Sequence, residues 1–451
     1  MFPITYLSFI YIFSLILIQL SFILYLFYGV NIPFQNFIVL NLFILFPLYI
    51  LVYKVKYNRY DLVIILSLLY FLIVLPISSG FNIFETFKSY KDIILPYIIY
   101  LFFRSYFKSF RRIQSFTNAV FIGGITCCIY LYLEFITKIN KIGLDFWFKL
   151  VEYADIYHPW VSKILETNVT NFLNDNMEQI GVYVISYLRP SGIFLDIHTQ
   201  AFVILSAIFI LYSDIINNKN KTKWKWYYFL IIGLFTTTST LYIVTLILIS
   251  ILFYYKAYKQ PKVKVLNKKF YFSLFSILCT GFVIFPFYIR QYLGHKIGFG
   301  VDQTSVADII VDAIIKLPES LFNLLVSNPK AFLIGTGSSE LNVIGGEVHY
   351  LGELISFIGV IGTTFYLLPY FLALSNSLKI LNGYNKNYSV TPYFFYTVFL
   401  SIILFASLFH YSPVNYCTVF LMGFCLYTGF QDNYFIKYDN ILKNHQNISQ
   451  L

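Results

Sequence analysis

Read from its N-terminus, the chain is a succession of apolar runs of about twenty residues, most of them bounded by lysine or arginine. Within a run the apolar residues are continuous and do not alternate with polar ones. A segment crossing lipid must satisfy its own backbone groups, so these runs are helices and not barrel strands. They predict spans near 4–28, 33–53, 60–79, 93–107, 117–137, 193–213, 270–289, 349–375, 393–411 and 413–430. The run 226–255 is long and basic at both ends, and one crossing would carry one basic flank to the wrong side. It is therefore expected to be a helical hairpin turning at Thr236–Thr240, where polar residues interrupt it. The sum is an all-α polytopic integral membrane protein: one membrane domain over 1–451, with about twelve transmembrane helices.

Charge orients these spans. Basic residues gather at Lys54–Arg59, Arg104–Arg112, Lys219–Lys225, Lys256–Lys269 and Lys379–Lys386. The excess of lysine and arginine on cytoplasmic loops puts these clusters, and both termini, on the cytoplasmic side. Two long segments, 138–190 and 290–348, then fall on the outer side, and both are mildly acidic. Loops of this length in a compact protein usually carry function. In the second, Val306, Ile309, Ile310, Ala313, Ile314 and Leu317 recur at helical spacing opposite Asp308, Asp312 and Lys316. That pattern predicts an amphipathic helix against the membrane, with Pro318 and Pro329 breaking the chain around it. Trp147 and Trp160 in the first loop suit an interfacial position.

Composition agrees: 58% of residues are hydrophobic and only 12% charged, about half the share usual in soluble domains. The net charge of +11 would suit a nucleic-acid partner, but short basic loops between spans account for it, and no nucleic acid is expected. All five cysteines fall within predicted spans, without disulfide or zinc-like spacing. The first segment lacks a basic n-region and a cleavage site, so it is expected to remain as a span. The glycines of Leu333–Ser339 precede no phosphate-reading lysine, which argues against a nucleotide loop.

Ionisable residues at membrane depth are costly, so their positions are informative. Arg189, Asp196 and His198 lie at the outer end of the 193–213 span. Glu347, His349 and Glu353 open the 349–375 span, with His349 and Glu353 on one helical face. Arg290 and His410 lie at the outer ends of their own spans. Simpler readings exist for each: an interfacial arginine snorkels to lipid phosphate, a carboxylate pairs with a neighbouring arginine, and a histidine ends a helix as a hydrogen-bonded structural group. His158, His295 and His445 read as solvated, and no pair of histidines has the close spacing of a zinc motif, so no metal is expected. As a functional layer, arginines supply bidentate charge for a diphosphate, and a histidine accepts a proton near neutral pH. Such a layer suits a lipid-borne diphosphate whose departure is stabilised while a sugar hydroxyl attacks.

The segments Arg189-Pro-Ser-Gly-Ile-Phe-Leu-Asp196, Phe332-Leu-Ile-Gly-Thr-Gly337, His349-Tyr-Leu-Gly-Glu-Leu-Ile-Ser-Phe-Ile-Gly-Val-Ile-Gly362 and Ser407-Leu-Phe-His-Tyr-Ser-Pro413 resemble the O-antigen polymerase and O-antigen ligase superfamily. The resemblance implies a GT-C-like, metal-independent glycosyltransferase that needs no cofactor and uses undecaprenyl-diphosphate-linked oligosaccharide in the periplasm. It implies that Arg189 and Arg290 hold the diphosphate and that His349 assists the acceptor, with Glu353 and Asp196 as further catalytic candidates. Asp196 stands where the family often has asparagine. His198, His410 and Glu347 complete the periplasmic rim. The polymerase branch is favoured, extending a glycan onto an incoming lipid-linked repeat unit, with a chain-length regulator protein as a partner. The alternatives are a ligase delivering glycan to lipid A–core and, in another class, a flippase of lipid-linked oligosaccharide. Transporters usually have short loops and charges near the midplane, and this chain has the reverse.

Overall fold

A computed structural model describes residues 6–30, 58–78, 83–107, 110–140, 192–194, 197–218, 224–237, 317–336, 350–382, 393–408 and 416–430, with a few isolated positions between them. The regular secondary structure of the described residues is all helical, without a strand. The helices are α1 (Tyr6–Tyr28), α2 (Arg59–Ser78), α3 (Ile83–Tyr106), α4 (Phe110–Ile139), α5 (Ile197–Asn218), α6 (Trp224–Thr236), α7 (Leu317–Ser327), α8 (Pro329–Ile334), α9 (Tyr350–Asn382), α10 (Tyr393–Ser407) and α11 (Thr418–Gly429). Four contain stretches long and apolar enough to cross a membrane: Tyr6–Tyr28, Arg59–Ile77, Arg112–Thr137 and Tyr350–Ser377. Shorter apolar stretches occupy Ile93–Tyr106, His198–Leu211 and Thr418–Gly429.

The faces of these helices are arranged for lipid. On α1 the exposed face carries Phe9, Phe13, Ile16, Ile23 and Phe27, while Ser8, Tyr11, Ser14 and Ser21 are buried. The Ser8 hydroxyl meets Ser115 of α4 at 3.2 Å, and Ser14 and Ser21 donate to carbonyls of their own helix. On α2, Leu62, Leu66, Leu69 and Ile73 form one exposed stripe. Polar groups inside and large apolar groups outside invert the soluble amphipathic pattern, as a bilayer solvent requires. This is a membrane protein.

Packing follows the membrane rule that small residues let backbones approach where no hydrophobic force drives helices together. Helix α4 is surrounded by α1, α5 and α6, and Gly124 of α4 abuts Ala207 of α5. Helix α11 packs along α3, with Gly423 against Ile99, and α9 packs on α2, α10 and α11.

One end of the bundle is closed by charge. Asn58 caps α2, its side-chain oxygen accepting the Tyr60 and Asp61 N–H groups at 2.9 Å, while the Asp61 carboxylate accepts the Asn58 N–H at 2.7 Å. This reciprocal pairing is the geometry of a capping box. The same carboxylate, 0% exposed, receives Arg104 of α3 through Nε at 3.0 Å and Nη2 at 2.9 Å, and the Tyr100 hydroxyl at 2.5 Å. Every acceptor position of Asp61 is thereby engaged, which the low dielectric demands. Around it Tyr60 stacks on Phe430 at 4.6 Å and donates to Asn376, whose amide donates to the Gly429 carbonyl. Arg112 donates to the Tyr106 carbonyl, so Arg59, Arg104 and Arg112 share this end.

Several expected boundaries move. Helix α3 begins at Ile83, running through Glu85, Lys88, Lys91 and Asp92 before its apolar part, because hydropathy marks only the lipid-crossing portion of a helix. Helix α5 begins at Ile197 and not at 193, since Gly192–Phe194 form a turn, and α11 begins at Thr418 and not at 413. The run beginning at 226 stops as a helix at Thr236, with the Thr237 N–H bonded back to Gly233 and Leu234; most of the return limb, with the span 270–289, lies outside the described residues. Pro329 stands at a break as expected, following Asn328 between α7 and α8, and Pro318 sits in the opening turn of α7. Proline lacks an N–H that the first turn cannot use anyway, so it starts helices as readily as it ends them. Nearly all of the amphipathic segment 306–317 lies outside the described residues.

Candidate functional site

At the end opposite the arginines, the first large loop returns to the bundle through Gly192-Ile-Phe194. Gly192 has φ +75 and sits so close to Gln200 that a Cβ there would strike its side chain. Three helices hold this turn by its backbone. Glu134 of α4 accepts the Gly192 N–H at 2.9 Å, and Gln200 of α5 accepts the Ile193 N–H at 3.1 Å. Gln19 of α1 donates to the Ile193 carbonyl at 3.0 Å. Behind them Gln200 donates to the Cys127 carbonyl, and Tyr130 donates to Gln19 at 3.2 Å. Glu134 and Gln200 are both 0% exposed, so their hydrogen bonds are made without competition from water. Early residues of the same loop fold back on α1, where Tyr153 packs against Phe22 and Tyr25, and Phe146 against Phe22.

The other three segments meet one another at the same end. Helix α9 is broken at Gly359, which has φ 68 and ψ 178. Gly335, the C-cap of α8 with φ 79, lies against that break. A Cβ on Gly335 would collide with the Phe357 carbonyl, and one on Gly359 with the Leu333 carbonyl. Only glycine supplies both the positive φ and the close approach. The Ser356 carbonyl, released by the break, accepts the Thr336 N–H at 2.8 Å and the Thr336 hydroxyl at 3.1 Å. Higher on α9, the Leu351 N–H donates to the Leu408 carbonyl of the fourth segment at 3.0 Å. Tyr350 is buried beside them, its hydroxyl 3.0 Å from that of Tyr366.

Two of the expected site residues lie within the described structure. His198 stands in the first turn of α5 and is 6% exposed, packed inside the bundle and not open at its rim. Glu353 is in the first turn of α9 and partly exposed. Arg189, Asp196, Arg290, Glu347, His349 and His410 lie outside the described residues. In the chain, however, Arg189 is three residues before the pinned Gly192, and His349 and His410 are each two residues from the bonded pair Leu351 and Leu408. The described contacts join the second, third and fourth segments to each other and the first to α1, α4 and α5.

Sequence reasoning passed over Glu134, Gln19 and Gln200. Each lies within a predicted apolar span, and the signal that marks it is the cost of placing a polar side chain there. Glu134→Ala removes the acceptor of a buried N–H and is expected to lose about 1–3 kcal/mol. Glu134→Gln keeps an acceptor oxygen and should retain most of that stability. Thermal unfolding of the purified variants in detergent measures the difference; equal midpoints for alanine and wild type would contradict the assigned bond.

Among the described residues no group of histidine, cysteine and carboxylate side chains is arranged to hold a metal, and the four described cysteines are buried free thiols. No protein family, no curated protein and no solved structure shows a significant match to this chain.

Proposed function

We propose that this protein is a glycosyltransferase of the O-antigen polymerase type, acting at the periplasmic face of a bacterial inner membrane. The acceptor hydroxyl on the non-reducing sugar of an incoming lipid-linked repeat unit attacks the anomeric carbon of the growing glycan. The bond from that carbon to the diphosphate oxygen breaks, and undecaprenyl diphosphate leaves with the electron pair. Arg189 and Arg290 stabilise the charge on the departing diphosphate, and His349 takes the hydroxyl proton. Glu353, four residues on in the chain and in the first turn of α9, is assigned to orient the histidine.

The observation that supports this reading is that three of the four resembling segments are bonded in series, and the fourth returns to the bundle at the same end. They are remote in sequence, yet hydrogen bonds tie Thr336 to Ser356 and Leu351 to Leu408, while Glu134 and Gln200 fix the turn after Arg189. A scaffold that fixes backbone at segments rich in Arg, His and carboxylate suits a reaction in which positioning and charge stabilisation do the work.

A deletion strain examined by lipopolysaccharide gel tests the assignment. Loss of a polymerase leaves core carrying one repeat unit. A core with no repeat unit would point to the ligase, and accumulation of single lipid-linked units in the inner leaflet would point to a flippase. An unchanged long-chain ladder would exclude all three.

A further inference from the structure

The proposed reaction makes no use of the entry to α3, where Glu85, Lys88, Lys91 and Asp92 fall within the helix from Ile83. Bonds at the arginine end set how deep that entry lies. Asp61 of α2 is joined to Tyr100 and Arg104 of α3, which puts the two helices in register there. Counted from Arg104 at 1.5 Å per residue, Asp92 stands about 18 Å along α3 and Lys88 about 24 Å, within a hydrocarbon core about 30 Å thick. A second route gives the same level. Ser67, near the middle of the Arg59–Ile77 span, donates to the Phe365 carbonyl at 3.1 Å, and Tyr97 donates to the adjoining Tyr366 carbonyl at 2.6 Å. Tyr97 thus stands near mid-membrane, and Asp92 is between one and two turns further out on the same helix.

The lateral position matters as much as the depth. Every residue of α3 from Ile93 to Phe103 is buried, and so is every residue of α11, which packs along it. These two helices are the centre of the described bundle, so the entry of α3 continues a central axis and not a lipid-facing edge. Helix α11 ends beside Tyr60 and Tyr100 at the arginine end and is about 18 Å long, so as a helix it starts near mid-membrane and does not cover that entry. On α9, the Tyr350 hydroxyl lies 3.0 Å from that of Tyr366, so the first turn of α9, with the partly exposed Glu353, comes down to the same region. Pro96 inside α3 offers no N–H to the Asp92 carbonyl, which loses its helical partner at this level. Charges at such depth are sustained by pairing with one another or by lining a water-filled cavity. Lys91 has no carboxylate three or four residues away with which to pair along its own helix.

We propose that the entry of α3 borders a water-filled vestibule, open at the end opposite the arginines, that descends to about the middle of the membrane and is floored by the start of α11. Its α3 wall carries two acidic and two basic residues, a balance that suits a neutral, hydroxyl-rich ligand better than a free ion. The sugar part of a lipid-linked glycan is such a ligand. The vestibule stands without the enzymatic reading, and this occupant rests on it.

Thiol labelling in phosphatidylethanolamine–phosphatidylglycerol vesicles tests the proposal on the full chain. The native cysteines stay, since the four described ones are buried, and the unaltered chain gives the background. A sulfonated maleimide reacts with thiolate in water and not with a thiol held in hydrocarbon. Asn140→Cys, past the end of α4 away from the arginines, is the water-facing reference, and Leu72→Cys, exposed on α2, is the lipid-facing one. Lys91→Cys should label at a rate nearer to that of Asn140→Cys. A rate nearer to that of Leu72→Cys would mean a dry interior and overturn the vestibule. If Lys91→Cys does not accumulate in the membrane, a sulfonated amine-reactive ester on the unaltered chain replaces it: mass spectrometry should find Lys91 modified, and an unmodified Lys91 would overturn the vestibule. Undecaprenyl-diphosphate-linked repeat units in the same vesicles should slow labelling of Lys91→Cys and leave Asn140→Cys unchanged. Fast labelling that they do not slow would overturn the occupant alone, and glycan extension by the unaltered chain in those vesicles shows whether the enzymatic reading has failed with it.

Discussion

Arg189→Ala and His349→Ala are each expected to abolish glycan chain extension while leaving the amount of protein in the membrane unchanged. The reason lies in the charge that develops on the leaving diphosphate. An arginine donates two parallel hydrogen bonds to adjacent phosphate oxygens, and in a dry interface these strengthen as the glycosidic bond opens. Arg189→Lys puts a point charge in place of that fork and should restore only part of the ladder. In the proposed reaction His349→Ala removes the group assigned to accept the hydroxyl proton, an effect usually worth about 100- to 10,000-fold. Both variants are read by complementing the deletion strain and running the lipopolysaccharide gel. A normal ladder from either alanine variant would remove that residue from the mechanism.

The largest loss of stability is expected from Arg104→Ala. It strips the counter-charge from Asp61, whose carboxylate is 0% exposed and cannot reach water. Breaking a buried pair from one side typically costs about 3–5 kcal/mol. Asp61→Ala should cost less, because the Arg104 side chain is 19% exposed and can extend to solvent. Asp61→Leu combined with Arg104→Met removes both charges and should fall closer to wild type than Arg104→Ala does. Thermal unfolding midpoints in detergent order the three. If Arg104→Ala proved the mildest, the pair would not be the closure assigned to it here.

The apolar runs made the helical architecture legible, because lipid imposes one local rule on every segment: continuous apolar residues, helical backbone. The Thr236 stop was readable for the same reason, since a cluster of Thr and Ser interrupts the run where α6 ends. What hydropathy does not register is backbone direction. Gly359 lies within an unbroken apolar run, and nothing in that run distinguishes a glycine that continues a helix from one with φ 68 that breaks it. The structural clue was its partner, since Gly335 is needed only where the two segments meet. Pro318 and Pro329 marked helix boundaries, but the residue type does not say which side of it the helix lies on. The buried Asp61, Glu134 and Gln200 and the half-buried Gln19 escaped because each was averaged into an apolar window. Their partners come from other helices, so no spacing along the chain could reveal them. Of the candidate site, the segments carrying it were legible as patches, and their mutual bonding became visible only in three dimensions.

The most direct test uses the purified protein reconstituted in vesicles with undecaprenyl-diphosphate-linked repeat units and no other enzyme. The account predicts a ladder of lengthened lipid-linked glycans and release of one undecaprenyl diphosphate for each bond formed, both lost in the Arg189→Ala variant. Repeat units that stay single with the wild-type protein, or that merely cross the bilayer unchanged, would contradict it.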